Sequence, residues 1–60
     1  MSTEILIIDD NSDIRLILNE LIQDAGYKTR LAANYNQALT EIDKKLPDVA
    51  IIDVKLDKGD

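Results

Sequence analysis

The sequence contains no cysteine and no histidine, and these two absences exclude several kinds of site. Without cysteine the chain cannot form a disulfide, and without either residue it lacks zinc-finger ligands and a Ser-His or Cys-His nucleophile pair. Glycine is also scarce, and residues 9–13, which follow the first apolar run, contain none. This composition disfavours a phosphate-binding loop, and with it a P-loop nucleotidase or a dinucleotide-binding unit.

Basic residues are few and dispersed, with seven Lys and Arg against twelve Asp and Glu and a net charge of −5. Nucleic-acid binding draws on clustered basic residues, so we expect no direct nucleic-acid contact by this segment. No apolar run approaches the ~20 residues that span a bilayer, and residues 1–4 do not resemble a signal peptide. We therefore expect a cytoplasmic protein without a membrane partner.

Two short apolar runs each end in aspartate. Residues 5–8 precede Asp9 and Asp10, and residues 49–52 precede Asp53. Short runs rich in β-branched residues predict buried strands of a parallel sheet. If the two strands are neighbours, their carboxyl ends bring three carboxylates to the crevice where open α/β sheets bind ligands. Their mutual repulsion would be relieved by protonation or by a small divalent cation such as Mg²⁺.

The same aspartates also have a purely structural interpretation. Asp9 and Asp10 could stabilise the start of a helix through its dipole, and Asp53 could be an ordinary turn residue. Capping does not require three acids at one sheet edge, where their repulsion costs free energy. Their joint placement therefore favours a functional site.

Between the two runs, the pattern first predicts a helix and a short strand. The helix can be capped by Asn11 or Ser12, and Gly26 supplies the left-handed stop expected after its end. Residues 28–32 then form a weak strand whose polar side chains suit a sheet edge. The apolar stripe of the helix comprises Ile14, Ile17, Leu18, Leu21, Ile22 and Ala25.

A second helix and the third strand complete the pattern. Asn34 and Gln37 resemble a capping pair at the helix start, and Pro47 ends the segment. The third strand runs from about residue 48 to 54, and its apolar run predicts burial on both faces. The order βαβαβ predicts a three-stranded parallel sheet with right-handed crossovers. The predicted inner face of the second helix comprises Ala38, Leu39, Ile42 and Leu46.

These residues resemble the receiver domain of two-component response regulators. The match includes residues 5–10 (Ile-Leu-Ile-Ile-Asp-Asp), Arg15, residues 25–27 (Ala-Gly-Tyr) and residues 46–53 (Leu-Pro-Asp-Val-Ala-Ile-Ile-Asp). It covers essentially the whole chain. The resemblance implies a flavodoxin-like, doubly wound sheet with strand order 2-1-3.

The resemblance also implies a function and a set of site residues. Asp53 would accept a phosphoryl group from a sensor histidine kinase or a histidine phosphotransfer protein. Mg²⁺ would be bound directly by Asp10, largely through water by Asp9, and also by Asp53 and the backbone carbonyl of Lys55. The module would relay a signal and would not be an enzyme.

The chain departs from the family pattern in ways that bear on its extent. Asp57 stands where family members usually carry a proline, and the strands that supply a hydroxyl residue and a lysine are missing. We therefore interpret residues 1–60 as the amino-terminal half of a receiver domain, truncated after the third strand. The exposed edge of that strand would favour self-association. Two alternatives are a non-catalytic half-domain that folds by self-association and a fragment of an aspartate-nucleophile phosphohydrolase.

Overall fold

The computed structural model describes residues 3–52, which form three strands and two helices in the predicted order. No helix in this part of the chain is long and apolar enough to cross a membrane. The third strand was predicted to reach residue 54, and its last two positions lie outside the described residues. The elements are β1 (Glu4–Ile8), α1 (Ser12–Asp24), β2 (Lys28–Ala32), α2 (Tyr35–Lys44) and β3 (Val49–Ile52).

Local signals fix both ends of α1. The side-chain oxygen of Asn11 accepts hydrogen bonds from the N–H groups of Asp13 and Ile14 at 2.9 and 3.2 Å, so Asn11 is the N-cap. These bonds satisfy donors that have no partner within the helix. After the helix, Gly26 has a φ of 97°, a left-handed conformation in which a side chain would be strained.

The start of α2 matches the predicted capping pair in one of its two bonds. Asn34 accepts a hydrogen bond from the N–H of Gln37 at 2.8 Å. The returning bond differs, because the Gln37 side chain accepts from the N–H of Ala33 at 2.8 Å, one residue before the cap. These two hydrogen bonds together connect the first turn of α2 to the loop that follows β2.

The sheet has the order β2-β1-β3 and is parallel throughout, which confirms the predicted topology. β1 is central, and residues 5–8 are at most 8% exposed. Successive residues of β2 bind different helices: Thr29 bonds to side chains of α1, and Arg30 bonds to Glu41 of α2. Since successive strand residues point to opposite faces, the two helices cover opposite faces of the sheet.

The prediction that β3 is buried on both faces is wrong for the described residues. Val49 is 47% exposed and Ile52 is 54% exposed. Both helices lie over β1 and β2, and neither approaches β3 within residues 3–52. The strand is therefore an edge with apolar side chains in contact with solvent.

The predicted inner face of α2 is correct for two of its four residues. Ala38 is buried at 1% exposure, and Ile42 packs against the cluster formed by Leu6, Ile8 and Ala32. Leu39 and Leu46 are 49% and 75% exposed, which corrects their assignment to the inner face. Leu46 lies beyond the end of α2 at Lys44, so helical spacing no longer sets its direction.

Candidate functional site

Asp9 follows β1 directly and is almost completely buried, at 1% exposure. Three of its atoms are fixed by hydrogen bonds. Its N–H donates to the carbonyl of Ala32 at 3.1 Å, its carbonyl accepts from Arg15 Nη1 at 2.7 Å, and its Oδ1 accepts from the N–H of Asn11 at 2.9 Å. Backbone and side chain are thus both held in place.

The second carboxylate oxygen of Asp9, Oδ2, is buried and has no hydrogen-bond partner among the described residues. A buried carboxylate oxygen without a partner costs free energy unless it is protonated or faces a cation. Oxygen is also the ligand type that Mg²⁺ prefers. The environment of Oδ2 therefore fits a bound divalent cation.

Asp10 lies next to Asp9 in the same turn, but it is exposed. The difference arises because the chain leaves the sheet at this point, where Asn11 begins the cap of α1. One acid is therefore enclosed and the next faces solvent. Residues 3–52 contain no group of three or more acids close enough to form a metal site by themselves.

The other two predicted site residues, Asp53 and Lys55, lie outside the described residues. The register of the strands that lead to the site is nevertheless clear. β1 and β3 are paired in parallel from Ile5 opposite Val49 to Ile8 opposite Ile52. The residues that follow Ile8 and Ile52 in the sequence are Asp9 and Asp53.

Arg15 is the residue of this site whose contact the sequence pattern did not identify. Its guanidinium reaches back from α1 to the carbonyl of Asp9. The signal that could have found it is spacing, since Arg15 lies four residues after the cap Asn11 and its backbone N–H bonds to the Asn11 carbonyl. A long side chain at that position can fold back over the loop before the helix.

A second polar region lies at the opposite, amino-terminal end of the strands. It is a depression, and neither Asp9 nor Asp10 lines it. Open α/β sheets bind ligands at the carboxyl ends of their strands, so we do not assign the function to this depression. Its lining residues are Glu4, Lys28, Lys45, Leu46 and Asp48.

The described fold is a parallel α/β unit with a buried acid at the carboxyl end of its central strand, the end at which open α/β sheets bind ligands. Comparison with protein families makes the assignment specific. The model of the response regulator receiver domain matches residues 5–60. This chain belongs to the response regulator receiver family, a family of signalling modules.

Individual relatives support the same assignment. The chain is 45% identical over 56 residues to sporulation initiation phosphotransferase F of Bacillus subtilis, covering 93% of this chain and 45% of that protein. It is 36% identical over 56 residues to the nitrogen assimilation regulatory protein NtrX of Azorhizobium caulinodans, covering 93% of this chain and 12% of the relative. No solved structure matches the chain.

The chain spans less than half the length of these relatives. It is also 34% identical over 53 residues to the transcriptional regulatory protein YxdJ of Bacillus subtilis, covering 88% of this chain and 23% of that protein. What is shared is therefore the receiver segment. The family match favours a receiver domain over the alternative of a fragment of an aspartate-nucleophile phosphohydrolase.

Proposed function

We propose that this chain is the amino-terminal half of a receiver module in a cytoplasmic two-component system, with Asp53 as the phosphoacceptor. The phosphoryl donor would be a phosphohistidine on a sensor histidine kinase or a histidine phosphotransfer protein. The proposal is carried by the buried Asp9 carboxylate, whose Oδ2 has no hydrogen-bond partner among the described residues. Asp9 follows β1, and β1 pairs with β3, the strand that precedes Asp53 in the sequence. Membership of the receiver family supports it.

In the proposed reaction, a carboxylate oxygen of Asp53 attacks the phosphorus of the phosphohistidine. A P–O bond forms while the P–N bond breaks, and the electron pair of that bond leaves with the ring nitrogen of the donor. The reaction needs no oxidant or reductant. Catalysis of such transfers depends mainly on positioning and charge neutralisation, because the transferred group carries much of the charge.

The residues proposed to hold Mg²⁺ are Asp9, Asp10, Asp53 and the backbone carbonyl of Lys55. The exposed Asp10 would bind the metal directly, and Asp9 would act largely through water. When bound, Mg²⁺ would neutralise charge between the acceptor and the phosphoryl oxygens. The hydrogen bonds to Asp9 hold its carboxylate ready for this task without rearrangement of the loop.

Intact-mass analysis tests the acceptor assignment directly. The intact protein is incubated with a phosphoramidate and Mg²⁺, and we expect one added phosphoryl group in the wild type and none in Asp53→Ala. Asp43→Ala is the matched control, because Asp43 is an exposed acid on α2 and should leave labelling unchanged. Undiminished labelling of Asp53→Ala would disprove the assignment.

We also propose self-association through the β3 edge, which retains part of the non-catalytic alternative. Support comes from the exposure of Val49 and Ile52 at a strand that neither helix approaches in the described chain. Such an edge offers backbone donors and acceptors to a second copy, and pairing through a two-fold axis would give a continuous sheet.

Sedimentation of the purified 60-residue chain tests this assembly. We expect a dimer or larger species, weakened by Ile52→Lys because a charge at the edge opposes strand pairing. Leu39→Lys is the control, since Leu39 has a similar exposure of 49% but lies on α2. A folded wild-type monomer at micromolar concentration would rule out the proposal.

A further inference from the structure

Arg15 connects helix α1 to the buried acid of the proposed metal site. Its side chain is half-buried, and Nη1 donates a hydrogen bond of 2.7 Å to the backbone carbonyl of Asp9. A hydrogen bond from a charged donor to a carbonyl is stronger than one between neutral groups. The contact therefore ties the loop between β1 and α1 to the helix that follows it.

We propose that Arg15 is a positioning residue for this metal site, an inference that rests on the proposed function. The Ala32 carbonyl and the Arg15 guanidinium fix the two polar backbone atoms of Asp9, and the Asn11 N–H fixes its Oδ1. With these atoms held, the direction of Oδ2 is set. Loss of the Arg15 contact would free the Asp9 carbonyl and loosen the turn that carries Asp9 and Asp10.

The positive charge of Arg15 and its positioning role would have opposite effects on Mg²⁺ affinity, so a binding measurement can distinguish between them. A guanidinium keeps its positive charge at all ordinary pH values, so its charge alone would repel Mg²⁺. Removing Arg15 would then strengthen Mg²⁺ binding if only charge mattered. If positioning dominates, removal weakens binding, and residues that orient metal ligands typically change the affinity by about tenfold or more.

The experiment measures Mg²⁺ binding to the intact protein by calorimetric titration. We expect Arg15→Met to weaken binding about tenfold, and Arg15→Lys to recover it to within about threefold, because lysine keeps a charged donor on a long stem. Lys28→Met is the matched control, since it removes one exposed positive charge at the opposite end of β2 and should leave the affinity unchanged. Circular dichroism checks that each variant is folded.

A second readout needs no metal. Hydrogen exchange of the Asn11 amide, which donates to Asp9 Oδ1, should be faster in metal-free Arg15→Met than in the wild type. If Arg15→Met does not fold, Arg15→Gln takes its place, because the glutamine amide is too short to span the same distance. Unchanged or tighter Mg²⁺ binding by the folded variant would overturn the role of Arg15 alone. Absence of Mg²⁺ binding by the wild type would instead overturn the proposed function.

Discussion

Ile8 and Ile52 lie opposite each other at the last paired position of β1 and β3. Each is followed in the sequence by an aspartate, and the carboxyl ends of neighbouring parallel strands meet at one edge of a sheet. This pairing is the reason for assigning the buried Asp9 and the proposed acceptor Asp53 to one site. The two acids that follow β1, Asp9 and Asp10, can be tested separately by substitution.

Asp10→Ala should weaken Mg²⁺ binding more than Asp9→Ala. A direct ligand contributes more than one that acts through water, for which a loss of about tenfold is typical. Calorimetric titration of the two variants measures the difference, with the exposed acid of Asp43→Ala as the control. Equal losses for the two variants would contradict the assigned roles.

Leu6→Ala should lower the free energy of unfolding by about 2–5 kcal/mol, because it deletes buried methyl groups and leaves a cavity. Leu6 has no exposed surface and lies in the cluster under α2. Leu16→Ala removes the same atoms from a side chain that is 54% exposed, so it should cost less than about 1 kcal/mol. Urea unfolding of the two variants provides the comparison, and equal losses would show that the described core is wrong.

Arg30→Met should destabilise the fold by about 1–3 kcal/mol, because it leaves the part-buried carbonyl of Glu41 and the exposed carbonyl of Lys45 without their charged donor. Arg30 Nη1 donates to the carbonyl of Glu41 at 2.7 Å, and Nη2 donates to the carbonyl of Lys45 at 2.6 Å. The control is Lys44→Met, since the Lys44 side chain is 66% exposed and its ion pair with Glu41 should contribute less than about 1 kcal/mol. Thermal unfolding that ranks the two variants equally would refute this role for Arg30.

The stability of the fold should fall in acid through Glu41. Partial burial raises the pKa of Glu41, but hydrogen bonds and charge from Arg30 and Lys44 outweigh it, and the pKa lies below its ordinary value of 4.5. Because the folded pKa is the lower one, the stabilisation is complete above 4.5 and is lost as the pH falls through the folded pKa.

Urea unfolding of the wild type and Glu41→Gln between about pH 7 and pH 3 measures this effect. The difference in unfolding free energy between the two proteins should stay constant at the upper end and shrink below pH 4.5. Glu20→Gln is the control, because Glu20 is an exposed acid of α1. A difference that does not change with pH would contradict the contribution of Glu41.

The interior of the sheet shows how far strand patterns predict burial. The runs at residues 5–8 and 49–52 are almost equally apolar, and both were expected to be buried. Burial depends on the elements that cover a strand, and α1 and α2 cover β1 while neither approaches β3 in the described chain. The residue types at positions 49–52 do not by themselves indicate whether a helix covers the strand. The exposure of Leu39 has the same explanation, because helical spacing cannot predict what lies opposite each position, whereas Leu46 is exposed because it lies beyond the end of α2.

The sequence by itself determined the order and type of the elements, the cap at Asn34 and the stop at Gly26, and it limited the cap of α1 to Asn11 or Ser12. These features depend on residues a few positions apart, so local hydrogen bonding and backbone preference are sufficient to set them. It also predicted that two acids follow the first strand.

The tertiary structure alone decided that Asp9 is enclosed while Asp10 faces solvent. It also joined Arg15 to the Asp9 carbonyl and Arg30 to the end of α2. Desolvation and the partners of long side chains depend on contacts between residues that are distant in the sequence, and those contacts exist only once the helices have packed on the sheet.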